Sequence, residues 1–135
     1  MFTVTTDDGF VVVISGHLRC RAEAAFAAFV EPELLARWWQ ATAVTDPRPG
    51  GSYHMTWDGP GWHLRGEYTE VSPARRLAFT WSWDHEDVET DVTIDFHPID
   101  GGTRVDVTHR YSTDEERDGY VEGWLHFLPR IADTV

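Results

Sequence analysis

The segment Leu77-Ala-Phe-Thr-Trp-Ser-Trp83 constrains the fold more than any other stretch of this chain. A strand sends alternate side chains to opposite faces, so Leu77, Phe79, Trp81 and Trp83 share one face. Four large apolar groups in a row need a thick cover, or they line a cavity. The alternation recurs elsewhere. Tyr53, Met55 and Trp57 alternate with polar residues, as do Val88, Thr90, Val92, Ile94 and Phe96, and then Val105 and Val107. Gly50-Gly51, Asp58-Gly-Pro-Gly61 and Asp100-Gly101-Gly102 punctuate these runs as turns. Clean alternation between regular turns predicts an antiparallel meander with one wet face.

Three segments change to helical character. Arg21 to Val30 is rich in alanine and carries Phe26 and Phe29 on one face. Pro32 suits the first turn of a second helix ending near Trp39. Ser112 or Thr113 can cap a third, with Asp114, Glu115 and Glu116 at its positive end. Tyr120, Trp124, Phe127, Leu128 and Ile131 then recur at helical spacing, and Pro129 predicts a kink or an early end. The expected architecture is α+β: a curved antiparallel sheet of about six or seven strands, two short helices, and a long C-terminal helix across the concave face. With 135 residues, the chain is expected to be one domain, 1–135. Where helix and sheet do not meet, a cavity should remain.

Charge narrows the partners. The formal charge is −12, with 11 basic residues, all of them arginine. Such a surface repels phosphate backbones and anionic lipid, which disfavours nucleic acid. No run approaches the ~20 apolar residues of a membrane helix, and the N-terminus lacks the basic start of a secretory signal. The sequence therefore predicts a cytoplasmic protein without membrane insertion. Cys20 is the single cysteine and reads as a half-buried hydrophobe. No cofactor and no metal site is expected. His85 sits in an acidic turn, while His54, His63, His97 and His126 are scattered without metal-binding spacing. Neither a phosphate loop nor a nucleophile motif is present.

His109 is the polar group of most interest. By parity it lies with Val105 and Val107 on the apolar face, so its imidazole needs a partner there. Thr90 and Tyr111 share that parity. Around the same space the expected ligand-binding set is Trp39, Tyr53, Met55, Trp57, Trp62, Tyr68, Phe79, Trp81, Trp83, Val92, Ile94, His109, Tyr111, Trp124 and Leu128. Buried indole N–H and phenol O–H groups want acceptors, which suits a planar guest with a few oxygens. Glu67 and Glu70 flank Tyr68 and are further candidates, with Arg65 and Arg104 as their expected partners.

The chain resembles the START-like superfamily, whose helix-grip fold is that of the birch-pollen-allergen type. Within it, the resemblance is to the branch named after the activator of heat-shock protein 90 ATPase. It is carried by Pro32-Glu-Leu-Leu-Ala-Arg-Trp-Trp39, Gly50-Gly-Ser-Tyr53, Gly66 with Glu70-Val-Ser-Pro73, Arg76-Leu-Ala-Phe-Thr-Trp81, Thr103 to His109, and Gly123-Trp124. These fragments run in family order over most of the chain. Pro129 departs from the pattern. The inferred cavity favours binding of a small hydrophobic, aromatic molecule. The resemblance implies two alternatives: a polyketide aromatase/cyclase using His109 as acid or base, and an interaction module that modulates a chaperone ATPase. Edge strands or the convex face could support a homodimer.

Overall fold

The computed structural model describes residues 2–6 and 9–135. Its strands are β1 (Phe2–Thr6), β2 (Val11–Leu18), β3 (Thr42–Thr45), β4 (Ser52–Trp57), β5 (Trp62–Ser72), β6 (Arg76–Trp83), β7 (Glu89–Ile99) and β8 (Gly102–Arg110). They form one curved antiparallel sheet in the order β1-β2-β8-β7-β6-β5-β4-β3. The count is eight rather than six or seven. The addition is the short edge β1, held only by β2; at the other edge the short strand β3 is held only by β4. Asp7 and Asp8, expected in the turn after β1, lie outside the described residues.

Helices α1 (Ala22–Val30), α2 (Pro32–Trp39) and α3 (Asp114–Phe127) complete the fold. Pro32 opens α2, where its missing N–H costs nothing, and Gln40 closes it in the left-handed region at φ 55°. Thr113 caps α3 by accepting from the Glu116 N–H at 3.2 Å, and Glu116 Oε1 accepts from the Ser112 N–H at 3.1 Å. The α-helix ends at Phe127. The chain tightens into a 3₁₀ segment, Leu128–Asp133, with Pro129 in its first turn. That change absorbs the proline, and Leu128 and Ile131 still reach the core.

One face of the sheet is dry. Val12 and Ile14 of β2, Val105 and Val107 of β8, and Val92 and Ile94 of β7 are all fully buried. Phe96 of β7 meets Phe26 and Phe29 of α1 edge-to-face. The opposite face carries Arg–Asp pairs: Arg65 with Asp84, Arg76 with Asp95, Arg104 with Asp106 and Arg110 with Asp91. These exposed pairs add little stability, ~0–1 kcal/mol each. They do interleave the arginines with acids, so no basic stripe forms on this face. No helix among the described residues is long and apolar enough to cross a membrane.

Candidate functional site

Aromatic residues concentrate at the β4-β5-β6 end of the dry face. Trp39 from the end of α2, Trp81 from β6 and Trp124 from α3 form a triangle, with ring centroids 5.9 Å (Trp39–Trp81), 5.2 Å (Trp39–Trp124) and 5.4 Å (Trp81–Trp124) apart. Tyr53 of β4 lies across Gly66 of β5. A Cβ at Gly66 would run into that ring and into the Thr80 carbonyl, so the glycine is required for the approach. Between these rings lies a small apolar void of about 20 Å³, lined by Trp39, Tyr53, Met55, Tyr68, Phe79, Trp81 and Trp124 among others. That volume holds about one water. The indoles themselves fill most of the chamber predicted between helix and sheet.

The space opens at its edge instead. A cleft of about 290 Å³ lies between α3 and the ends of β5 and β6. Trp39, Trp62, Trp81, Trp83, Tyr120, Trp124 and Phe127 line it, with Glu86 and Glu116 at its rim. Trp62 is 48 % exposed, and His85 stacks on it at 5.7 Å. Successive ring contacts run from the core outward: Trp124 to Trp81, Trp81 to Trp83 at 5.8 Å, and Trp83 to Trp62 at 6.2 Å. Larger hollows of about 400 and 550 Å³ lie elsewhere; neither has an indole in its lining, and the larger is lined mostly by charged and polar residues.

Helix α3 contributes Gly119 and Gly123 to the same cleft, four residues apart on one helical face. A Cβ at either would meet nothing within 4 Å. Neither glycine is needed for packing, and each costs an α-helix ~1 kcal/mol against alanine. Their effect is to lower the helix wall and leave the ring faces open. Sequence reasoning passed over them. The readable signal was two glycines at i, i+4 inside an otherwise capped amphipathic helix. Glu86, Glu116, Tyr120 and Phe127 were missed as lining for a plainer reason: they belong to a turn and a helix whose docking the alternation of strands does not reveal.

The hydrogen bonds show which polar groups are still available. Tyr53 Oη donates to Thr80 O at 2.6 Å, Trp38 Nε1 to Ala28 O at 2.7 Å, and Trp57 Nε1 to Trp39 O at 2.9 Å. Burial raises the Tyr53 and Tyr68 phenols well above their ordinary range, so both stay neutral donors. Trp81 Nε1 is buried without a partner among the described residues. Of the donors foreseen for a guest's oxygens, Tyr53, Trp57 and Trp124 are already engaged inside the protein.

His109 is fully buried on β8. Its Nδ1 accepts from Trp124 Nε1 at 3.0 Å, and its ring stacks on Tyr120 at 3.8 Å and 11°. Accepting at Nδ1 places the imidazole proton on Nε2, which has no partner among the described residues. Burial pushes its pKa down to about 3, so the ring is neutral. His109 lines neither the void nor the cleft. Its geometry is that of a positioning group: it fixes the Trp124 indole and supports Tyr120 from behind.

Several expected site residues lie away from both spaces. Val92, Ile94 and Leu128 are buried in the core but line neither. Trp57 packs behind the cleft on Trp39 and Trp83. Tyr111 lies just past β8, edge-on to Phe10 at 5.9 Å. Thr90 donates to Arg110 O. Glu67 is exposed, and Glu70 bonds Ser72 beyond a bulge that shifts the register after Tyr68. The partners foreseen for these two acids are corrected: Arg65 pairs with Asp84 and Arg104 with Asp106. His54 and His63, distant in sequence, meet at 2.9 Å on the outer face because β4 pairs with β5. Among the described residues no group of three or more His, Cys, Asp or Glu side chains could hold a metal.

A one-sided antiparallel sheet with a C-terminal helix on its dry face is the helix-grip fold of START-like proteins. Residues 19–135 match the family described as activator of Hsp90 ATPase homolog 1-like protein, and the chain belongs to that family. No curated protein matches the sequence. Among solved structures, a Rhodobacter sphaeroides protein superposes with a TM-score of 0.86 at 23% identity, over 97% of this chain and 95% of that one. Ms6760 from Mycobacterium smegmatis gives 0.81 at 23% identity, over 98% and 96%. DynU16, from the dynemicin biosynthetic locus, gives 0.81 at 23% identity over 95% of this chain and 47% of that one. At these identities the likeness is one of fold.

Proposed function

We propose that this protein is a binding module for a small, flat, largely apolar molecule that inserts between α3 and the outer end of β6. The observation that carries the reading is the open cleft of about 290 Å³, walled by indole rings and kept clear by two helix glycines with no packing role. Its volume is at the lower end of small-molecule sites, ~300–1,000 Å³. A guest there can lie against ring faces and reach toward the Trp81 edge, where one buried N–H lacks an acceptor. DynU16 adds a parallel, since its locus is one of small-molecule biosynthesis.

An acid–base role for His109 draws no support from this geometry. The ring is sealed from the cleft, neutral, and committed through Nδ1 to Trp124. The chaperone role in the family's description rests on that description alone.

Titration with Nile red, a neutral flat dye whose emission rises in apolar surroundings, tests the reading. Wild type should bind one equivalent, and Gly123→Leu, which fills the cleft, should bind at least tenfold more weakly. No saturable signal with wild type, or unchanged affinity in Gly123→Leu, would overturn it.

A further inference from the structure

We propose that the guest is a cation: a flat heteroaromatic ring system carrying a fixed positive charge. This rests on the ligand-binding reading above and adds the charge of the ligand.

The cleft offers two kinds of attraction to such a molecule. The first is the rings of Trp39, Trp81, Trp83 and Tyr120. An aromatic ring is negative at its face, and tryptophan attracts a cation more strongly than the other side chains. The second is carboxylate. Glu86 and Glu116 are the charged side chains that line the cleft, and both are acidic. They approach from opposite walls, one from the turn after β6 and the other from the first turn of α3. Both line the one cleft with Tyr120, whose hydroxyl is raised above its ordinary range first by burial and then by these two carboxylates. Glu116 is held there by its bond to the Ser112 N–H.

No arginine lines the cleft. Arg117, next to Glu116 in sequence, is engaged by Asp114 and Asp118 instead. An anionic guest, a fatty acid for example, would meet two carboxylates and no countercharge. A neutral guest would use the rings and leave the carboxylates without effect. A cation uses both sets, and it does so beneath a chain whose net charge of −12 draws cations inward.

The test compares three two-ring probes of nearly the same shape by isothermal titration calorimetry at pH 7.5: N-methylquinolinium, neutral quinoline, and 2-naphthoate. N-methylquinolinium should bind about tenfold more tightly than quinoline, and 2-naphthoate should give no measurable heat. The double variant Glu86→Gln/Glu116→Gln should shrink the cation's advantage over quinoline to the roughly two- to threefold that the ring faces alone supply, while leaving quinoline unchanged. Glutamine preserves the helix cap, so this variant keeps the fold. Equal binding of N-methylquinolinium and quinoline to wild type, or a cation preference undiminished in the double variant, would overturn the charge assignment while leaving the binding module standing. Absence of binding by all three probes would overturn both.

Discussion

The two halves of the dry face are built from different material. From β2 through β8 to β7 the inward residues include Val12, Ile14, Val105, Val107, Val92 and Ile94, each with no measurable exposure, beside Phe96 and His109. From β6 to β4 they include Trp81, Phe79, Tyr68, Tyr53 and Met55, each slightly exposed, with Leu77 and Leu64 among them, next to a small void and a cleft. Branched aliphatic side chains suit the pleat and interdigitate without gaps. Flat rings do not tile a curved surface completely; they meet edge to face and leave slots. The aliphatic half therefore supplies a rigid floor, and the aromatic half supplies a place for a guest.

The contrast is sharpest at the boundary, where Trp124 and His109 join the halves. Trp124→Ala should cost the most, ~3–5 kcal/mol, because a large buried ring is lost and the His109 acceptor is left bare. Urea unfolding would measure it. A loss under 1 kcal/mol would mean that the halves are not joined there.

Within the aliphatic half, Ile94→Ala should cost ~2–5 kcal/mol and leave guest affinity unchanged. Trp83→Ala should do the reverse. It removes a half-buried ring at modest cost, under ~2 kcal/mol, yet should weaken dye binding tenfold or more. Equal effects of the two substitutions on affinity would erase the division of labour.

Acid should probe the boundary in another way. His109 is neutral in the fold, with its pKa pushed down to about 3 against ~6.5 in the unfolded chain. Above that unfolded value its burial as the neutral form is free of any protonation penalty. As pH falls through the window below it, the unfolded chain takes up a proton that the folded chain refuses. Stability should then drop by up to ~1.4 kcal/mol per pH unit, or roughly 2 kcal/mol between pH 6.5 and 4.5. His109→Gln keeps an acceptor for Trp124 but does not titrate, so its urea midpoint should vary less over this range. A variant as acid-sensitive as wild type would place the proton uptake elsewhere.

The smallest effect has the opposite sign. Gly123→Ala should stabilise α3 by ~0.5–1 kcal/mol, because an alanine Cβ meets only open space there. A destabilisation would show that the glycine serves packing after all.

Much of this plan is legible in the sequence. The alternation of β6, β7 and β8 places Trp81, Ile94 and His109 on the dry face, as read. Pro32 marks the start of α2, and Thr113 caps α3. The parity of His109 demands a partner for its imidazole, and Trp124 supplies it from α3. The N-terminal edge falls outside the count because Phe2–Thr6 carries too few residues for a strong period-two signal. The near-closure of the inner chamber was beyond sequence reach. It depends on the rotamers by which Trp39, Trp81 and Trp124 converge from three separate elements, and alternation fixes a face without fixing a ring's direction.

The file of indoles from Trp124 to Trp62 also has a spectroscopic consequence. Rings this close share their excited states, so the protein should show coupled bands of opposite sign in circular dichroism. Excitation absorbed deep inside can migrate to the outermost ring before it is emitted. Light taken up in the core thus reports on whatever sits at the mouth, and occupancy can be followed without any label.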